Sequence, residues 1–331
     1  MNLDGKKVII SRTDSIGDVM LTLPICVWLK EKFPTVEIIF LGKGYTRPIV
    51  NAYSKVDKYI DWNYYLNAPK ADRVHSFRKL EADAIIHVFP DKEIASLAKK
   101  IRIPVRVGTS HRAYHLLTCS HRVNFTRKNS TLHESQLNYE LLRPFGLTQL
   151  PELSSIIEST KFFGIPSAAL PDDFASLKEV TILHPKSQGS AKEWPIEKYL
   201  ELAKKIADRG EKVAFTGTEK EGEQFRSLIP SHKNIIDTTG KFTLEELMVF
   251  ISTAKNLVAC STGPLHLAGY YGVNTIGLYS PKRPIHPGRW KALGKKVNIL
   301  AFDEACESCS KGNDCNCILE ISVEKVLEVM V

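Results

Sequence analysis

Short apolar runs recur along both halves of this chain, each too brief for a helix and each followed by a stretch long enough for one. That alternation narrows the fold more than any other feature, because strands spaced by helices pair in parallel. In the first half Lys7–Ser11 reads as a buried strand, and Val19–Lys32 as a helix with Met20, Leu23, Val27 and Leu29 at roughly helical spacing. Val36–Leu41, Ala84–Val88 and Val105–Val107 are further strands, and His133–Phe145 is the last helix of this half. Leu150–Pro171 carries Pro151, Gly164, Pro166 and Pro171 with little periodicity, as a connection between domains does.

The pattern then restarts. Val180–Leu183 reads as a strand, and Pro195–Arg209 as an amphipathic helix with Ile196, Tyr199, Leu200, Ala203 and Ile206 inward and Gly210 as its stop. Strand Lys212–Phe215, a helix from about Glu219, strand Ile235–Ile236 and a helix announced by Thr243 and Glu246 at capping-box spacing follow. Asn256–Ala259 and Thr275–Leu278 complete the series. A chain of 331 residues has room for about two domains. The expectation is an α/β protein of two facing Rossmann-like domains with parallel sheets, residues 1–160 and 161–331, and an interdomain cleft for a ligand. The second ends in a cysteine-rich segment, 306–317, and a final helix over Ile318–Met330.

With 43% hydrophobic and 25% charged residues and no low-complexity tract, disordered and fibrous classes do not fit. No apolar stretch approaches the roughly 20 residues that span a bilayer, and Met1–Lys7 lacks the apolar centre of a secretion signal, so a cytoplasmic protein without a transmembrane segment is expected. A net charge of +8 attracts polyanions, whether nucleic acid, a membrane face or a phosphorylated substrate. The densest basic stretch, Lys99 to Arg127, reads as a solvated face or as an acceptor-side or membrane-facing patch. Neither a helix-turn-helix pattern nor an RNA-binding aromatic signature accompanies the charge, which argues against a nucleic-acid partner.

Four turns carry the chemistry. Ser261-Thr262-Gly263 opens into a helix beside an apolar run, so backbone N–H groups at the helix start aim partial positive charge at an anion, with Pro264 fitting where its missing N–H costs nothing. Asp14-Ser-Ile-Gly-Asp18 lies between the first strand and the first helix. Asp18 reads either as a cap or as a carboxylate that accepts a proton from a bound hydroxyl, Gly17 leaves room for a ligand, and Asp14 reads as the capping residue. In His184–Pro195, Ser187, Gly189 and Lys192 can cradle phosphates, although the Walker spacing is missing. Glu219, just past a strand, either accepts from ribose hydroxyls or complements its helix dipole.

Together these turns resemble glycosyltransferase family 9, the bacterial lipopolysaccharide heptosyltransferases. The resemblance covers most of the chain and rests on Arg12-Thr-Asp-Ser-Ile-Gly-Asp18 with Leu21-Thr-Leu-Pro24, Lys192-Glu-Trp-Pro195, Gly217-Thr-Glu219 and Ser261-Thr-Gly-Pro-Leu-His266. It implies a GT-B fold, an ADP-heptose donor held by the second domain, a lipid A-core acceptor held by the first at the cytoplasmic face of the inner membrane, and inversion at the anomeric carbon. Asp18 matches the family's general base. Lys192 and the N–H groups at Thr262–His266 match the seat of the departing diphosphate, Glu219 the ribose contact, and Phe242 or Thr243 the adenine position. No cofactor is required by the resemblance. Ser261 stands where family members usually carry an aspartate that contacts the donor heptose; a serine hydrogen-bonds without charge assistance, which leaves a different sugar open.

Cys26, Cys119 and Cys260 read as isolated packing residues, whereas Cys306-x-x-Cys309 and Cys315-x-Cys317 cluster with spacing near that of a structural zinc site. A redox-active or incidental thiol cluster is the alternative. Rival functions are a transferase of another nucleotide sugar, a sugar-nucleotide epimerase, and a non-enzymatic polyanion-binding module.

Overall fold

The computed structural model describes residues 1–127, 130–313 and 315–331. The chain divides into two compact units, Met1–Gly164 and Ile165–Val331. In the first, strands β1 (Lys7–Ser11), β2 (Glu37–Gly42), β3 (Lys58–Asp61), β4 (Ala84–His87), β5 (Val105–Thr109) and β6 (His121–Val123) form one parallel sheet of order β3-β2-β1-β4-β5-β6. In the second, β7 (Thr181–His184), β8 (Val213–Phe215), β9 (Ile235–Asp237), β10 (Asn256–Cys260), β11 (Asn274–Leu278) and β12 (Val297–Leu300) form another, of order β12-β11-β10-β7-β8-β9.

Both orders are the doubly wound 3-2-1-4-5-6 arrangement, which winds outward on one side of its first strand and then returns to the other. At that switch point the loops leaving the two central strands diverge, and ligands of open α/β sheets bind outside those carboxyl ends. The switch lies between β1 and β4 in unit 1, where Ser11 pairs with His87, and between β7 and β10 in unit 2, where His184 pairs with Ala259. The central strands are buried along their length, as a sheet covered on both faces requires.

Three expected elements differ for local reasons. Val19–Lys32 is not one helix: Ile16–Met20 and Pro24–Lys32 are separate, because Pro24 has no N–H to continue the ladder and the Thr22 hydroxyl donates to the Asp18 carbonyl at 2.9 Å. His133–Phe145 is an α-helix only over Glu134–Tyr139 and continues as a 3-10 helix, Glu140–Phe145, that contains Pro144. The final helix is confined to Val323–Glu328, capped by Ser322, since Ile318 and Ile321 are drawn into the core of unit 2 beside Trp194 and Tyr199. Strands β3, β6 and β12, absent from the sequence reading, are edge strands whose mixed polarity leaves little hydrophobic signal. The proline-rich connection itself folds, with a helix at Leu153–Ile157 whose Ile156 is buried.

Candidate functional site

In unit 1 the turn after β1 is organised by one buried cation. The Arg12 side chain is 4% exposed and pairs with three carboxylates: Asp14 at 2.7 Å, Glu134 at 3.4 Å and, in a short contact, Asp18. Burial works against its charge, but Asp14, Asp18 and Glu134 outweigh that and hold the guanidinium protonated above its ordinary value. Glu134, itself buried, also accepts from Arg127 at 2.9 Å, and Arg127 reaches Asn138 at 3.0 Å. Burial pushes the Asp14 carboxyl up to about 6 despite Arg12. Asp14 does not cap the helix, because its carboxylate accepts from Arg12 and Ser15 holds the cap position; Ser15 makes no side-chain cap bond, and its hydroxyl donates to Asp18. Gly17 is buried in the first turn, next to Asp18.

A carboxylate fixed by a buried arginine is oriented, and Arg12 is shared among three of them, so Asp18 keeps lone pairs for a further donor. Such a network is poor evidence for stability, because desolvating its charges costs about as much as their attraction returns. It is better evidence for positioning. In the sequence Arg12 stands out only as part of a motif, Arg127 as part of a basic stretch, and Glu134 only as part of a helix.

In unit 2 the loop after β7 folds around Glu193. Its carboxylate accepts from the Ser187 amide at 2.8 Å, the Ser187 hydroxyl at 3.0 Å and the Lys186 ammonium at 2.8 Å. Burial opposes ionisation of Glu193, but these donors outweigh it and hold the carboxyl below its ordinary value. Ser187 is thus spent on shaping the loop. A cavity of about 470 Å³ opens beside it, lined among others by Lys186, Gly189, Thr218, Lys220 and Glu221. Lys192 does not line it; its ammonium donates to the Cys315 carbonyl. Lys186 and Lys220 are the lysines at the cavity, and nothing in their spacing separates them from Lys192.

The turns after β8 and β9 are zipped together. The Gly240 amide donates to the Gly217 carbonyl at 2.9 Å, and Arg226 bonds Glu219 at 2.7 Å, Asp237 at 2.7 Å and the Thr239 hydroxyl at 2.9 Å. Glu219, expected at a ribose, stands over Gly240, which has φ +73° and where a Cβ would come within 2.9 Å of the Glu219 Cβ. The adjoining Phe242 meets Phe174 edge to face and lies tilted against Phe250, and Thr243 forms the expected capping box with Glu246.

The turn after β10 opens the nine-residue helix Gly263–Tyr271. Thr262 is its N-cap but makes no side-chain cap bond, and its hydroxyl oxygen is buried without a partner among the described residues. The first N–H groups have no intrahelical acceptor and carry the positive end of the helix dipole. Ser190 donates to the Ser261 carbonyl at 3.3 Å, which joins this turn to the β7 loop, and His266 is buried one turn further along. The structure thus gathers Ser187, Glu219, Ser261, Thr262 and Gly263 around the carboxyl ends of β7, β8 and β10, while Gly17 and Asp18 belong to unit 1.

Comparison with known proteins bears on the family and the fold. The family model of glycosyltransferase family 9 (heptosyltransferase) matches residues 73–318. The lipopolysaccharide core heptosyltransferase OpsX of Haemophilus influenzae is 22% identical, over 98% of this chain and 96% of its own. A glycosyl transferase family 9 structure from Veillonella parvula superposes with a TM-score of 0.78 at 21% identity, covering 99% of this chain and 97% of that one. The Escherichia coli ADP-heptose lps heptosyltransferase II gives a TM-score of 0.72 at 20% identity, covering 98% and 97%. These structural likenesses carry the fold, two Rossmann-like units of the GT-B class.

Proposed function

This chain belongs to glycosyltransferase family 9, and from that premise we propose that it transfers a heptose from ADP-heptose to the inner core of lipopolysaccharide with inversion. The observation that carries the reading is a cavity between the loops after β7 and β8, where Lys186 and Lys220 stand with Glu193 and Glu221, next to an uncapped helix N-terminus after β10 that the Ser190–Ser261 hydrogen bond ties to the β7 loop. Such a place suits a diphosphate: Lys186 and Lys220 supply charge, and the amides after Thr262 supply oriented donors that strengthen as negative charge builds on the leaving group. Glu219 takes the ribose hydroxyls, and Phe242 with Thr243 the adenine side. Lys192 acts from the Cys315 side of the same loop, holding it in shape.

Unit 1 supplies the base. The acceptor hydroxyl donates its proton to Asp18 as its oxygen bonds to the anomeric carbon from the face opposite the diphosphate. The bond from that carbon to the diphosphate oxygen breaks, and ADP leaves with the electron pair. Arg12 and Ser15 keep the Asp18 carboxylate in one orientation throughout, so little of the barrier is spent on ordering it. Arg12 and Ser15 are positioning residues here.

The acceptor is lipid-linked in this reading. On the turn His115–Thr118, Leu116 is 59% exposed and Leu117 73% exposed, with Arg112 and Arg122 close in sequence, a combination suited to an anionic membrane surface. No helix among the described residues is long and apolar enough to cross a membrane.

Thermal stabilisation across a panel of nucleotides and nucleotide sugars tests the donor half, because a ligand of the folded state raises stability with its affinity and concentration. ADP and ADP-heptose are expected to raise Tm where UDP and GDP sugars do not. Stabilisation by a uridine sugar alone would move Ser261 from a tolerated departure to the determinant of a different donor.

A further inference from the structure

Residues 303–317 present a problem of order. Apart from Ala305, Gly312 and the four cysteines, every side chain in this segment is polar or charged, so burial of carbon cannot offset the entropy of fixing it. Yet the four thiols converge: the sulfurs of Cys306, Cys309, Cys315 and Cys317 all lie within 4.8 Å of one another. All four are free, and Cys309 and Cys317 are buried.

The backbone around them is arranged for ligation. Cys306 starts the single turn Glu307–Ser310, which brings Cys309 back beside it, and Gly312 at φ +79° turns the chain toward Cys315. The Cys317 amide points at the Cys315 sulfur at 3.5 Å, and Ser280 reaches the Cys309 sulfur at 3.6 Å, contacts that favour thiolates. Tetrahedral zinc with sulfurs at about 2.3 Å would set them about 3.8 Å apart. The distances here bracket that value, from 2.6 Å between Cys309 and Cys315 to the 4.8 Å limit of the set.

The segment and the chain just after it are tied to the loop after β7 and to the helix that follows that loop. The Lys192 ammonium donates to the carbonyl of Cys315, Trp194 Nε1 donates to the Ile321 carbonyl at 2.9 Å, and Lys198 to the same carbonyl at 2.8 Å. We propose that Cys306, Cys309, Cys315 and Cys317 ligate one Zn2+ ion as a closed tetrathiolate site, and that the bound ion holds the Cys315 carbonyl in place for Lys192. Each thiol releases its proton to solvent as its sulfur takes up the cation, and Lys192 lies where it offsets the resulting negative charge. With four thiolates no coordination position stays open, so the ion is structural and does no chemistry. Through Lys192 it sets the shape of the loop that lines the cavity; this coupling, unlike the site itself, rests on the reading of unit 2 as the ADP seat.

The test uses the full-length protein, reduced and stripped of metal by a chelator, then titrated with Co2+ without oxygen. One ion per chain is expected, with the visible bands and sulfur charge-transfer absorption of a tetrahedral tetrathiolate, displaced by Zn2+. Cys309→Ser and Cys317→Ser each change that spectrum; should either variant fail to fold, alkylation of the unmutated protein with and without Zn2+ reads the same point, with all four cysteines protected by the metal. ADP affinity is expected to fall about tenfold in the metal-free form, the size of one displaced charge-assisted hydrogen bond. No uptake of Co2+ or Zn2+ by the reduced protein, or protection of fewer than four thiols, overturns the site. Equal ADP affinity with and without Zn2+ overturns the coupling. ADP failing to bind either form removes both the coupling and the donor reading, and the cobalt spectrum then judges the site by itself.

Discussion

The two sheets share one strand order and differ in what stands at the switch point. In unit 1 it is crowded with carboxylates around the buried Arg12; in unit 2 it offers Lys186 paired with Glu193, small residues and the open end of a helix. The scaffold fixes where a ligand meets the chain, and the turn residues decide whether that place takes a proton or holds an anion. Even the strand-end histidines follow the contrast. His184 bonds the Thr216 hydroxyl at 3.0 Å with Glu221 and Glu193 nearby, whereas neither ring nitrogen of the buried His87 has a partner among the described residues.

The largest effect is expected at Arg12. Replacing it by methionine leaves Asp14, Asp18 and Glu134 facing one another with only Arg127 left to Glu134, and is expected to cost about 3–5 kcal/mol in denaturant unfolding. A cost under about 1 kcal/mol would mean that the acidic cluster needs no central cation. Next in size, Asp18→Asn keeps the shape of the side chain and removes the proposed base, so acceptor-dependent turnover should fall by about 10²-fold or more. Full activity in that variant would assign proton transfer elsewhere.

In unit 2 the effects are on binding. Lys186→Ala should weaken ADP about tenfold in calorimetric titration, because one charged donor is lost at the cavity. Gly240→Ala forces a left-handed residue against the Glu219 backbone and is expected to lower stability by about 1 kcal/mol, read as a drop in Tm that ADP only partly restores.

The smallest effect concerns acid. Burial, reinforced by His115 and Arg106, pushes the His87 imidazole down to about 3, so between there and its ordinary value of 6.5 the unfolded chain holds a proton that the folded one lacks. Stability from this group is present above pH 6.5 and is lost as pH falls, by about 0.8 kcal/mol at pH 6. His87→Phe should flatten that limb of the Tm profile, and an unchanged slope would place the acid sensitivity in other groups.

Where the signal is local, the sequence can be read closely. The Thr243–Glu246 box, the strand at Lys7–Ser11 and the opening of the helix at Gly263 appear as expected, since each depends on residues within one turn of each other. Arg12 with Glu134 is a contact across 122 positions, and nothing near either residue announces the other. The choice between Lys186 and Lys192 was equally closed to inspection, because Glu193 shapes the loop and its partners are set only once the loop has folded. Ser187, legible as a loop hydroxyl, turned out to serve Glu193 first.

The proposed division of labour puts the anion seat in unit 2 and the base in unit 1. Isothermal titration of ADP into Asp18→Asn and Lys186→Ala, side by side with the unmutated protein, tests it most directly. Unmutated affinity is expected for Asp18→Asn and about tenfold weaker binding for Lys186→Ala; loss of ADP binding in Asp18→Asn, or no loss in Lys186→Ala, would overturn the division.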